Sequence, residues 1–335
     1  MLKITDQLSN KIANACFIAA CLVVGIHAAP DARMVPFVCR IAVPFFFVIS
    51  GFMLSGRCEQ YYWYRSALSK RVRTLLVPYF LINGLWFPVV WVMHMLAAKY
   101  AGADPSSMAQ LSWETPLEVL GLAFPSGPFA IGMWYVRTLM ILVVLSPLFV
   151  CLLFRSFRAS LIIILGELGF MMCCDIAKPD MSEVWVRCMD FGVPPYAIVC
   201  FSLGIVARRY LNKIIIDKRA ALVLFVIVLL HEVLVGQGGL ENLCRVMAII
   251  PFFWIIPDKR LPKWCVDNAF PLFVLHPMVL YFIRFGLKGA KVESCIQLGV
   301  GYLILWMGVV LLTCAASCLL KKKLPRVSRI VFGGR

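Results

Sequence analysis

The sequence predicts an all-α, polytopic integral membrane protein with about ten transmembrane helices and with its N-terminus and C-terminus in the cytoplasm. Three observations predict it. Of the 335 residues, 62% are apolar and only 15% charged, against roughly half and a quarter in soluble domains. The apolar residues gather into runs long enough to cross a hydrocarbon core about 30 Å thick, which takes roughly 17 to 25 residues of helix. The basic residues, part of 33 Lys and Arg against 17 Asp and Glu, sit in short segments between those runs. Such a pattern reads as a topology signal rather than as a nucleic-acid surface.

In chain order the predicted spans are 12–29, 36–54, 75–97, 131–153, 159–174, 191–207, 220–236, 241–257, 267–287 and 295–320. Numbering the connections alternately puts 23 basic residues on one side and nine on the other, with Arg137 inside a span. The richer side includes Lys70, Arg71 and Arg73 and the tail 321–335, and the positive-inside rule makes it cytoplasmic. The poorer side holds Arg33, Arg40, Arg245 and Arg284 among others. A cleaved signal peptide over residues 1–29 is the competing reading of the first run. Pro30, directly after the would-be cut site, and the charge alternation both oppose it.

No period repeats, and residues 1–335 read as one integral-membrane domain. The long stretch at about 98–130, with Gly102, Pro105, Pro116 and Pro125, faces outward; a short amphipathic or re-entrant piece around 117–124 would suit it as cover for a site. The 14 cysteines form no C-x-x-C pair and no cluster with metal-ligand spacing. They read as small membrane hydrophobes, and Cys173/Cys174 borders an outer loop where oxidation is open to it.

Ionisable side chains inside a span cost at least about 2.5 to 3.5 kcal/mol at its centre, so each is a functional candidate. The short list is His27, Arg40, Arg137, Glu167 and His276. His27 follows Lys11 by 16 residues, which places it roughly 24 Å along the first helix, near the outer end. Arg40 lies four residues after Pro36, roughly 6 Å below the same surface, so the two side chains are expected at one depth. His27 is the better general-base candidate, because imidazole titrates near neutral pH. Snorkelling to headgroups is the bland reading of both.

Ser50-Gly51 lies deep in the second span, where small residues let a helix or a ligand approach closely. Lys70-Arg71-Val72-Arg73 reads either as a phosphate clamp or as ordinary positive-inside anchoring. Trp134 and Tyr135 read as an aromatic belt or as a substrate platform. His276, before Pro277 near mid-membrane, is either a satisfied packing residue or a cavity-lining one.

These elements resemble the membrane acyltransferase-3 family, which O-acylates bacterial cell-surface glycans. The matching residues are His27, RIAVPFFFVISGFML at 40–54, KRVRTLLVPY at 70–79, WYVRTLMILVVLSPL at 134–148 and FPLFVLHPM at 270–278. Family members generally carry an arginine eleven positions before the first-helix histidine, where Cys16 stands here. The family's Arg-x-x-Arg element corresponds to Lys70-x-x-Arg73, which keeps the charge and loses one bidentate phosphate donor.

The resemblance implies transfer of an acyl group, most often acetyl, from cytoplasmic acyl-CoA to a hydroxyl of a surface polysaccharide or lipid-linked sugar. Lys70, Arg71 and Arg73 would hold the CoA phosphates, and His27 would act as base or transient acyl acceptor. Arg40 would stabilise the developing negative charge, with Ser50, Trp134, Tyr135, Arg137 and His276 lining the substrate path. No metal is implied, and the expected setting is the bacterial cytoplasmic (inner) membrane. Two rivals fit the same sequence: a glycan transporter or flippase, and a non-catalytic membrane partner of an envelope assembly.

Overall fold

The computed structural model of the protein describes residues 5–29, 35–56, 58, 62–101, 132–176, 192–210, 218–235, 240–289 and 299–334. Among these there are helices and no strand. The predicted amphipathic piece at 117–124 lies outside the described residues.

Helix α1, Asp6–Ala28, begins at Thr5, whose hydroxyl accepts the Leu8 N–H, and carries Asp6 in its first turn, both favourable at a helix N-terminus. It ends at Ala29, which turns extended. Pro30 disfavours helix at the residue before it. Helix α1 buries Ala15, Ala19, Ala20 and Val24 completely.

The second span is broken into α2, Phe37–Arg40, and α3, Ala42–Ser55. Pro44 has no N–H to give the Arg40 carbonyl, and its ring crowds that group, so the helix breaks there. After α4, Trp63–Arg71, the chain widens into a π-helical turn, Val72–Leu76, before α5, Val77–Ala101. Pro78 has the same effect on the Thr74 carbonyl, and the π turn takes up the register. Helix α5 thus runs past the expected end of its span at 97. Pro147 likewise separates α6, Met133–Val144, from α7, Ser146–Leu153, which bend by 58°.

The remaining helices are α8, Phe157–Ile176; α9, Pro195–Tyr210; α10, Lys218–Val235; α11, Glu241–Ile255; and the short α12, Lys263–Asp267. Then come α13, Ala269–Gly289; α14, Val300–Lys323; and α15, Pro325–Val331. Each predicted span therefore coincides with helix, but they are unequal. Among the described residues five helices are long and apolar enough to cross a membrane, and the bent α6–α7 pair would make a sixth. By contrast α9 has 16 residues and α11 has 15.

The tightest crossing is between α3 and α9. A Cβ on Gly51 would lie 2.1 Å from the Phe201 carbonyl oxygen, and one on Gly204 would lie 2.0 Å from that of Val48. Two glycines facing each other let the backbones touch, the small-residue packing that membranes favour. Around this centre the outer faces stay apolar: Ile162 on α8 is 70% exposed and Ile304 on α14 67%. Long helices exposing continuous apolar faces belong in lipid, and the protein is an integral membrane protein.

Candidate active site

The last turn of α1 is held from two other helices. Arg284 of α13 donates to the carbonyls of Ala28 at 3.2 Å and Ala29 at 3.0 Å. These are orphan acceptors at a helix C-terminus, where a cation is favoured. From α14, Tyr302 donates to the Gly25 carbonyl at 3.0 Å and Trp306 to that of Cys21 at 2.7 Å. Gly25 has no room for a side chain, because a Cβ there would meet the Trp306 ring at 2.8 Å.

This anchoring sets the half-buried His27 against His276 of α13, with ring centroids 5.2 Å apart. His276 is fully buried, its Nδ1 2.9 Å from the Leu272 carbonyl oxygen. Only a protonated Nδ1 can bond a carbonyl, so the neutral ring carries its lone pair on Nε2. Among the described residues that Nε2 has no hydrogen-bond partner. Arg284 is close enough to act electrostatically on His27. On the remaining side stands Gly132, whose positive φ of 98° opens α6 and whose Cβ would lie 4.0 Å from His27 Nε2.

At the other end of the same helices is a cavity of about 510 Å³, within the usual range for small-ligand sites, roughly 300 to 1,000 Å³. Lys70, Arg71 and Thr74 line it, with Gly333 and Gly334 from the C-terminal tail. Cys16, Phe46, Ser50, Tyr135 and Phe273 line it as well. Ser50 Oγ and Tyr135 Oη lie 3.2 Å apart, and Tyr135 also donates to the Phe46 carbonyl at 3.3 Å. The Phe273 ring sits 5.5 Å from Tyr135 and 6.4 Å from His276, so one aromatic residue touches both the cavity and the histidine pair.

A polar chain lies apart from this pair. Arg40 and Arg245 both donate to Glu241 Oε1, Arg245 donates to Asn242 at 3.1 Å, and Asn242 donates to the buried Asp175 at 2.7 Å. Arg284 is thus tied to the end of α1 that carries His27, while Arg40, expected to share the depth of His27, is engaged with Glu241. Arg73 is exposed and does not line the cavity, unlike Lys70 and Arg71. Arg137 packs on the backbone of Gly192, where a Cβ would meet its Nε at 2.7 Å. Trp134 is half-buried and its carbonyl accepts the Thr138 hydroxyl at 3.0 Å. Glu167, a carboxylate within α8, accepts the Ser202 hydroxyl at 2.9 Å.

Residues 17–322 match the acyltransferase domain of the acyltransferase-3 family. The chain belongs to the acyltransferase-3 family. It is also similar to the succinoglycan biosynthesis protein ExoH of Rhizobium meliloti (strain 1021), 30% identical over 129 residues. That stretch is 38% of this chain and 34% of the relative, so the likeness spans about a third of ExoH. No solved structure matches the chain.

Within this acyltransferase-3 protein, Cys16, at the position where the resemblance leads one to expect arginine, lines the cavity. Eleven residues of helix separate it from His27, roughly 16 Å. Arg284 escaped the sequence reading because it counted as one outward-side basic residue. Its spacing of eight from His276 on one helix, about two turns, was the available signal. Glu241 opens a predicted span, and its partnership with Arg40, 201 residues away, leaves no mark in one dimension.

Proposed function

We propose that this acyltransferase moves an acyl group, acetyl in the simplest case, from acyl-CoA to a hydroxyl of a surface polysaccharide or lipid-linked sugar. The observation that carries the reading is a cavity lined by Lys70 and Arg71 and, behind the aromatic residue Phe273 on its wall, the pair of half-buried His27 and fully buried His276. ExoH, named for succinoglycan biosynthesis, supports a glycan acceptor. With ten spans and both termini cytoplasmic, the Lys70 end opens to cytoplasmic acyl-CoA, and the protein resides in the bacterial cytoplasmic membrane.

In this reading Lys70 and Arg71 bind the CoA phosphates by charge-assisted hydrogen bonds. The thioester is directed toward Ser50, Tyr135 and Phe273. His27 takes the proton of the acceptor hydroxyl as its oxygen bonds to the thioester carbon. The negative charge on the former carbonyl oxygen falls to Arg284, the cation that stands beside His27. The C–S bond then breaks, CoA leaves as the thiolate, and the proton on His27 is returned to it. Arg40 and Glu241 supply a paired scaffold on the same side of the protein, and His276 holds the His27 ring from behind.

The test is CoA release by purified protein in detergent with acetyl-CoA and a sugar acceptor. Acceptor-dependent release of free CoA, with mass added to the glycan, is the expected result. A glycan transporter or flippase, or a non-catalytic envelope partner, would release no CoA, and that result would overturn the proposal.

A further inference from the structure

The C-terminal tail folds back onto the cavity. Helix α14 ends at Leu324, Pro325 opens α15, and the chain returns so that Ser328 and Phe332 are buried while Leu324, Val327 and Ile330 face outward. Phe332 is fully buried, with the Lys321 ammonium 5.7 Å from its ring centroid. Gly333 and Gly334 follow with φ of 63° and 77°, a left-handed pair that residues with a Cβ adopt at a cost. Their N–H groups donate to the carbonyls of Ile330 at 3.2 Å and Arg329 at 2.6 Å, closing the last turn.

The turn delivers the tail to a specific place. A Cβ on Gly333 would lie 2.5 Å from the carbonyl oxygen of Thr74, in the π turn that Pro78 imposes. Thr74, Lys70, Arg71, Gly333 and Gly334 all line the same cavity. The family match ends at residue 322, so this wall lies beyond the matched domain.

We infer that residues 328–334 are a structural wall of the donor-binding cavity, closing it beside Lys70 and Arg71 so that a phosphate-bearing thioester is held between the tail and the π turn. This rests on the reading of that cavity as the acyl-CoA site. Gly333 serves the role by permitting backbone-to-backbone contact with Thr74, and Gly334, with open space where a side chain would stand, leaves that space to the ligand. The outward apolar row Leu324, Val327 and Ile330, flanked by Lys322, Lys323, Arg326 and Arg329, seats the other face of the tail at the lipid surface.

The experiment is CoA binding to the full-length protein in nanodiscs, with G333V compared to wild type, and amide exchange of wild type with and without CoA. Valine at a left-handed position 2.5 Å from a carbonyl displaces the wall. The dissociation constant for CoA is expected to rise at least about tenfold with the acceptor KM unchanged. In wild type, CoA should slow exchange across 328–334 together with 70–76. Exchange in wild type answers the question even where G333V does not fold. If wild type binds CoA and neither the G333V affinity nor tail exchange changes, the tail inference is overturned and the donor reading survives. If wild type binds no CoA, the donor reading falls and the inference with it.

Discussion

The imidazoles of His27 and His276 face one another across two helices, with ring centroids 5.2 Å apart and planes inclined by 33°. The relationship orders the site. His276 commits Nδ1 to its own helix, at Leu272, and so presents a lone pair rather than a proton from its other nitrogen. His27, at the end of α1 and only half-buried, is the member of the pair with access to an incoming hydroxyl.

His27→Ala is expected to lower turnover by roughly 100-fold to 10,000-fold, the usual worth of a positioned acid-base group. His27→Gln keeps size and hydrogen bonding but takes no proton at neutral pH, and should be nearly as inactive. Steady-state rates alongside thermal melts make the check. A glutamine variant that keeps most of its activity would make His27 a packing residue and leave His276 as the base.

Arg71 and Arg73 separate two readings of the basic segment, because Arg71 lines the cavity and Arg73 is exposed and outside its lining. A charge-assisted phosphate contact is worth roughly 1.5 to 3 kcal/mol, so Arg71→Ala should raise the donor KM about tenfold or more. Arg73→Ala should change it far less. Equal effects of the two variants would return the segment to membrane anchoring.

Arg284→Gln removes the charge next to His27 while leaving donors for the Ala28 and Ala29 carbonyls. If Arg284 stabilises the oxyanion, kcat should fall by roughly 100-fold to 1,000-fold with little change in donor KM. Arg284→Lys, which keeps the charge but not the planar fork, should fall between. An unchanged kcat in the glutamine variant would reduce Arg284 to a helix cap.

Glu241 receives both Arg40 and Arg245 in a mostly buried setting, its side chain 12% exposed. Glu241→Ala takes away the carboxylate that two guanidinium groups share, which should destabilise the fold by roughly 3 to 5 kcal/mol. The melting temperature of the detergent-solubilised protein is the readout. A variant that melts with wild type would show that Arg40 and Arg245 are held by other contacts.

The orientation is checked with single cysteines at Ser69 and Ser107 in a cysteine-free background, labelled by an impermeant thiol reagent. From outside, the second should react and the first should not. Equal labelling of both would sink the proposed topology.

Much of this protein was legible in the sequence, because hydropathy, proline position and charge are properties of short stretches. They located the helices, placed His27 at a helix end and marked Lys70 and Arg71. Pro44, Pro78 and Pro147 account for the helix breaks by the same local chemistry. Packing decided what local chemistry could not, namely how far each helix is rotated about its own axis. The contact of Gly51 and Gly204 backbones fixes α3 against α9, and the clamp of Trp306, Tyr302 and Arg284 fixes α1 against α13 and α14. These contacts, 255 residues apart in the case of Arg284 and Ala29, bring Arg284 to the end of α1 that carries His27, while Arg40 pairs with Glu241. In one dimension both arginines are charges near an outer helix end. Only the rotation of their helices determines which one reaches the end of α1 and which one meets Glu241.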